Sequence, residues 1–134
     1  MHIFTYGSLM FPAVWQRVVR GEYVSSEAWL SGFERRAVRG ATYPCLIPSE
    51  LSPPVEGLLY YDVNYVDLKR LDEFEGEQYQ RLLVACELSG GNKIDAFTYI
   101  WSVENSCQVG GEWDLSWFQE QGIALFLKQY PGFR

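Results

Sequence analysis

Apolar residues recur at helical spacing in three places. Leu68, Leu71 and Phe74 form one stripe. Asn64 stands before it as a cap, and Asp67 places a favourable charge in the first turn. Gly76 suits the left-handed position just past the last turn. Together these predict a helix over residues 65–75. Val14, Trp15, Val18 and Val19 form a second stripe behind Pro12, which suits a first helical position. Asp114 can cap a third helix over 115–130, ended by Pro131, with Trp117, Ala124 and Leu127 on its apolar face.

The remaining apolar runs are short and strand-like. Residues 2–6 read as a strand, and residues 23–38 as two strands joined near Ser31 and Gly32. Residues 45–48 read as a strand piece or buried turn. Residues 55–63 read as a strand with Gly57 a candidate bulge. Residues 79–88 and 93–101 flank Ser89-Gly90-Gly91-Asn92, a hairpin signal, and Asp95, Phe97, Tyr99 and Trp101 share one face of its second arm. Segments 39–44, 49–54 and 102–111 read as loops. Hairpins mixed with separate helices predict an α+β fold, one domain over 1–134, with a closed or half-closed barrel.

Composition narrows the function. A net charge of −6 argues against nucleic acid and anionic membranes as partners. No stretch approaches the length of a membrane span, and the start lacks the basic and apolar regions of a signal peptide, so a cytoplasmic protein is expected. Cys45, Cys86 and Cys107 are odd in number and widely spaced, which suggests free thiols. His2 is the single histidine. A His-rich zinc site cannot be built, and a nucleophile paired with histidine would have to use this N-terminal strand residue. We therefore expect no metal and no cofactor. Carboxylates, tyrosines and backbone amides remain as catalytic groups. The nine Tyr and five Trp either fill a core or line a small-molecule pocket.

Two stretches offer chemistry. Glu75 would sit beside the unpaired carbonyls at a helix end, where a carboxylate is disfavoured and its pKa should rise. A general base working near neutral pH needs that property. The plainer reading is a solvated acidic helix end. Gly7-Ser8-Leu9 follows the first strand and would point free N–H groups outward, as an anion or oxyanion site requires. Its plainer reading is an ordinary strand–helix connection.

Tyr6-Gly7-Ser8-Leu9, Thr42-Tyr43-Pro44 and Leu71-Asp72-Glu73-Phe74-Glu75-Gly76-x-x-Tyr79-x-Arg81, in this order and spacing, resemble the gamma-glutamylcyclotransferase-like superfamily. Gly111-Glu112-Trp113-Asp114 resembles its plant avirulence-induced-gene-like branch. The resemblance covers nearly the whole chain. It implies a barrel-like mixed or antiparallel sheet with flanking helices. It implies that Glu75 is the proton acceptor and that the turn Tyr6 to Leu9 binds substrate through backbone groups. The implied reaction is attack of a γ-glutamyl compound's α-amine on its own γ-carbonyl, giving 5-oxoproline and a free amine or amino acid. Glutathione-degrading relatives carry Asn where this chain has Leu9, which argues against glutathione as substrate.

Tyr43, Tyr79 and Tyr99 are candidate pocket walls or orienting hydroxyls, and each could equally be a core tyrosine. Arg81 suits a structural ion pair or a substrate carboxylate. Glu73 and Glu77 are expected to be solvated. Trp113 and Trp117 suit packing, and as an exposed pair they would mark a homodimer face. Two other classes fit the same residues. One is a binding module that holds an amine or amino acid without turnover. The other is an interaction domain using the Trp-rich C-terminal helix.

Overall fold

Side chains alternate between two destinations along the central strands, and that alternation builds a barrel with a helical coat. The computed structural model describes residues 1–102 and 108–129. Strands β1 (Ile3–Thr5), β2 (Ser25–Leu30), β5 (Val55–Tyr60), β6 (Tyr79–Leu88) and β7 (Lys93–Trp101) close in the order β1-β5-β2-β6-β7. Only β1 with β7 is a parallel contact; the other barrel pairs are antiparallel. Phe4, Ala28, Leu30, Leu59, Cys86 and Ala96, drawn from all five strands, share one core cluster. Their strand neighbours Ile3, Tyr60 and Tyr99 belong to a second cluster, with α1 (Pro12–Val18) and α2 (Tyr65–Glu75). This is the period of two that a filled small barrel demands.

The strands expected over 23–38 part at Gly32. β2 stays in the barrel, whereas β3 (Phe33–Val38) joins a separate sheet of order β4-β3-β8, with β4 (Pro44–Pro48) and β8 (Val109–Glu112). The piece at 45–48 is thus a strand. Part of the loop expected over 102–111 is also strand, because β8 pairs with β3 through Arg36–Glu112 and Val38–Val109. Two glycines give β8 little intrinsic preference, so tertiary pairing decides. Residues 103–107 of that expected loop, and Cys107 with them, lie outside the described residues. Gly57 is no bulge: it stays in register opposite Ala28, and a Cβ there would meet the Phe4 ring at 2.6 Å. Cys45 and Cys86 are buried free thiols.

The third helix carries a correction. It runs as α3 (Leu115–Trp117), a π turn (Phe118–Gly122) and α4 (Ile123–Gln129); the expected end at Tyr130 and Pro131 lies outside the described residues. Phe118, Gly122 and Phe126 are buried, while Trp117 and Ala124 are exposed. Leu127, also expected on the apolar face, does pack partly buried against the core, but the wide turn stretches the spacing to four residues, so a 3.6-residue template misplaced the rest of that face. Trp113 is buried and donates its Nε1–H to the Thr42 carbonyl at 2.9 Å, so it does not form an exposed pair with Trp117.

Helix α2 has the expected bounds, and Asn64 Oδ1 accepts from the Asp67 amide at 2.8 Å. Asp67 does more than charge the first turn. It is 1% exposed and accepts from Arg20 N at 3.0 Å, Gly21 N at 2.9 Å and the Tyr23 hydroxyl at 2.6 Å, with Arg70 Nε 3.5 Å away. It ties the start of α2 to the chain leaving α1. Burial pushes its carboxyl up, but the Tyr23, Arg20 and Gly21 donors and the Arg70 charge together hold it below its ordinary value of 3.8.

Asp67→Ala should therefore cost about 3–5 kcal/mol, as removal of a buried paired charge does. A urea titration should show a lower midpoint at unchanged slope. The native pKa is depressed, so the carboxylate's contribution is complete above about 3.8 and fades as pH falls through the lower native value. The wild-type advantage should shrink in acid; an advantage that persists at the lowest pH would contradict the assignment.

Candidate active site

The first strand delivers the first wall. β1 ends at Thr5, and Ser8–Met10 form a single 3-10 turn. Amides that open a helical turn have no carbonyl of their own turn to bond. Gly7 lets Pro44 pack directly on this turn: a Cβ on Gly7 would collide with Pro44 Cγ and lie 2.7 Å from Cδ. The opposite wall is the end of α2. Gly76 follows with φ 80° and ψ −172°, a region open essentially to glycine alone, and the chain leaves straight into β6. That sharp exit leaves Glu75 as the last helical residue with Tyr79 close behind it.

Between these walls lies a cavity of about 220 Å³. Tyr6, Gly7, Ser8, Leu9, Tyr43, Glu75, Tyr79 and Tyr99 all line it, so every residue expected at the site is brought together. Reasoning from sequence missed Pro44, Phe74 and Phe126 as walls. Phe74 looked like ordinary helix stripe. Phe126 was hidden by the misphased last helix, and its ring packs 5.7 Å from that of Phe74.

Three of the four tyrosines have committed hydroxyls. Tyr6 donates to the Tyr99 carbonyl at 2.6 Å, Tyr79 to the Pro44 carbonyl at 2.7 Å, and Tyr99 to Asp72 Oδ1 at 2.6 Å. Their rings are walls, and their hydroxyls fasten the turn and α2 to β7 and β4 to β6. Among the described residues, the Tyr43 hydroxyl has no such partner. Burial, then the charge of Glu75, raises the pKa of Tyr6 and Tyr43. Burial likewise raises Tyr79, and burial with the Asp72 bond raises Tyr99. All four stay neutral near pH 7.

Among the described residues, Glu75 is the one acidic or basic side chain in the lining. Its pKa is pushed up to about 8, first by burial and then by the charge of Asp72, one turn earlier. The direction is that expected from the sequence, with burial as the leading cause. Asp72 is itself held between the Tyr99 hydroxyl and Arg81, whose Nε lies 3.5 Å from Oδ1. Arg81 is thus a structural partner of the carboxylate beside Glu75. Glu73 and Glu77 are exposed. Among the described residues, no group of three or more His, Cys, Asp or Glu could hold a metal ion, and no helix is long and apolar enough to cross a membrane.

The family model for gamma-glutamyl cyclotransferase, AIG2-like proteins matches residues 3–115. The chain belongs to this family. AIG2-like protein D of Arabidopsis thaliana is 32% identical over 136 residues, covering 99% of this chain and 89% of that protein. AIG2-like protein B of the same plant is 30% identical over 130 residues, covering 96% and 75%. A solution structure of an Arabidopsis thaliana protein superposes with a TM-score of 0.74 at 28% identity, covering 96% of this chain and 87% of that one. A gamma-glutamyl cyclotransferase shares the fold, with a TM-score of 0.66 at 18% identity, covering 83% and 69%. The AIG2-like match takes in both motifs and most of the cavity, whereas Phe126 lies beyond it.

The raised Glu75 pKa has a stability signature. The native state holds this proton more tightly than the unfolded chain. The extra stability is complete below about 4.5 and is lost as pH rises to about 8. Glu75→Gln is neutral throughout and should lack this loss. Urea midpoints should be similar for the two proteins near pH 5, and higher for the variant near pH 9. Parallel curves across that range would mean that Glu75 titrates as an ordinary surface acid.

Proposed function

We propose that this AIG2-like chain is a cofactor-independent gamma-glutamyl cyclotransferase acting on small γ-glutamylamines or γ-glutamyl amino acids. One observation carries the reading: a proton-holding carboxylate, Glu75, and the Gly7-Ser8-Leu9 turn line the same small aromatic cavity. The substrate's α-amine nitrogen attacks its own γ-carbonyl carbon and the bond to the leaving nitrogen breaks. The proton that the amine sheds goes to Glu75 and then to the leaving amine, so the site ends as it began. Water is not consumed.

Each part has a physical task. A value of about 8 places Glu75 near the ordinary range of an α-amine, ~8, so the proton moves between them at little cost. The cavity is smaller than the ~300–1,000 Å³ typical of drug-sized sites, which suits a folded γ-glutamyl group with its leaving group toward the opening. Walls of Tyr6, Tyr43, Tyr79 and Tyr99 would hold the bent conformer; well-oriented intramolecular attack is worth about 7–11 kcal/mol. Amides of the turn would meet the negative oxygen of the tetrahedral intermediate, where one donor is worth about 3–4 kcal/mol. Catalysis under this scheme needs neither a histidine nor a cysteine.

Glu75→Gln keeps the shape of the side chain and removes its basicity. Release of 5-oxoproline should fall about 10²–10⁴-fold, while the exposed control Glu73→Gln retains activity. In the wild type, kcat/KM should rise with pH through about 8, because the free enzyme must shed the Glu75 proton to act as base. Normal turnover by Glu75→Gln would remove Glu75 from the mechanism.

A free α-amine should be obligatory. Acetylating the substrate's α-nitrogen should abolish product, and a chelator should leave the rate unchanged. Product from the acetylated compound would show that water or a protein group attacks instead. Binding of γ-glutamyl compounds without turnover of any would replace this reading with that of a binding module.

A further inference from the structure

A γ-glutamyl ligand brings a carboxylate and, during reaction, an oxyanion, yet the described cavity lining holds no Lys or Arg. A cation does reach the wall from behind. Arg35, on β3, lies in a shallow hollow on the other side of the turn, with Glu34, Glu56 and Trp113. Its Nη1 donates to the Tyr6 carbonyl at 2.9 Å and to the Glu56 carbonyl at 3.4 Å, and its guanidinium carbon sits 5.4 Å from the centre of the Trp113 ring. A cation–π contact and a backbone clamp hold it in one place.

The Tyr6–Gly7 peptide transmits that contact. The bond is trans, so the Tyr6 carbonyl and the Gly7 N–H point in opposite directions. With the carbonyl committed to Arg35, the Gly7 N–H points away from the hollow, and Gly7 lines the cavity. Among the described residues, that N–H has no acceptor. A charged donor on the carbonyl also polarises the amide, which makes its N–H a stronger donor. We infer that Arg35 is a positioning residue for an anion site: clamped behind the Tyr6–Gly7 peptide, it aims the Gly7 N–H into the cavity and strengthens it toward an anionic oxygen of the ligand. The inference rests on the proposed γ-glutamyl chemistry only in taking that ligand to be an acid. Lysine could supply the charge but not the rigid planar donor group, so it should substitute only in part.

The test is a titration of ¹⁵N-labelled protein with 5-oxoproline, followed at the Gly7 amide, for the wild type, Arg35→Gln, Arg35→Lys and Arg36→Gln. Arg36 is the control: it is next along β3 but donates its Nε–H to the Gly110 carbonyl at 2.9 Å. The wild-type Gly7 amide should move on titration. Arg35→Gln should shift the free Gly7 resonance upfield and weaken binding about tenfold. Arg35→Lys should fall between, and Arg36→Gln should match the wild type. Thermal unfolding of each variant reports whether it is folded, and if Arg35→Gln is not, Arg35→Lys carries the comparison. A wild-type Gly7 amide that ignores the ligand overturns the inference. So does a folded Arg35 variant with unchanged Gly7 resonance and affinity, or an Arg36→Gln that weakens binding equally. The enzyme reading is judged separately, by wild-type release of 5-oxoproline from γ-glutamyl compounds. If that fails while Gly7 responds as described, the Arg35 role stands without it.

Discussion

Keeping one carboxylate away from bulk water is the constraint around which this molecule is built. A buried acid is costly unless it is paired or protonated, and Glu75 has no cation beside it in the cavity. Its walls must therefore be uncharged, largely apolar and rigid. Aromatic rings meet the first two needs. The third is met by anchoring three tyrosine hydroxyls to fixed acceptors, each on a different piece of chain. The same bonds that make the cavity rigid commit three of its four tyrosine hydroxyls to protein acceptors.

A second carboxylate refines this arrangement. Asp72 and Glu75 lie one turn apart on α2, but only Asp72 has a hydroxyl donor and a guanidinium against it. The surroundings of the two like groups thus differ: Asp72 is bonded and ion-paired, whereas Glu75 faces the aromatic cavity. Arg81 is thus part of the device without entering the cavity. The site extends outward as an ordered set of charges, with Arg81 behind Asp72 on one side and Arg35 behind Tyr6 on the other.

Much of this was legible in the chain. The bounds of α2 follow from Asn64, the Leu68–Leu71–Phe74 stripe and Gly76, which are local signals with local consequences. The β6–β7 hairpin is equally local. The motifs at Tyr6–Leu9 and Glu75–Arg81 marked both walls of the cavity. What escaped notice is long-range. Asp67 looked like a capping charge because its partners lie more than forty residues away. Arg35 looked like any strand arginine, since nothing local marks a side chain that bonds the backbone of Tyr6. Strand β8 exists only because β3 offers it an edge. The π turn rephased the last helix, and with it the place of Phe126.

The parallel contact between β1 and β7 has a consequence for how the molecule is made. Ile3 pairs with Phe97 on one side and Tyr60 on the other. On the ribosome the chain emerges from its N-terminal end, so β1 appears before β5 and long before β7. An apolar segment, Ile3-Phe4-Thr5, must wait without its final partners through that interval. Keeping this strand to three residues limits the sticky edge it exposes. The Ser8–Met10 turn follows it directly, so one wall of the cavity hangs on the strand that waits longest for its partners.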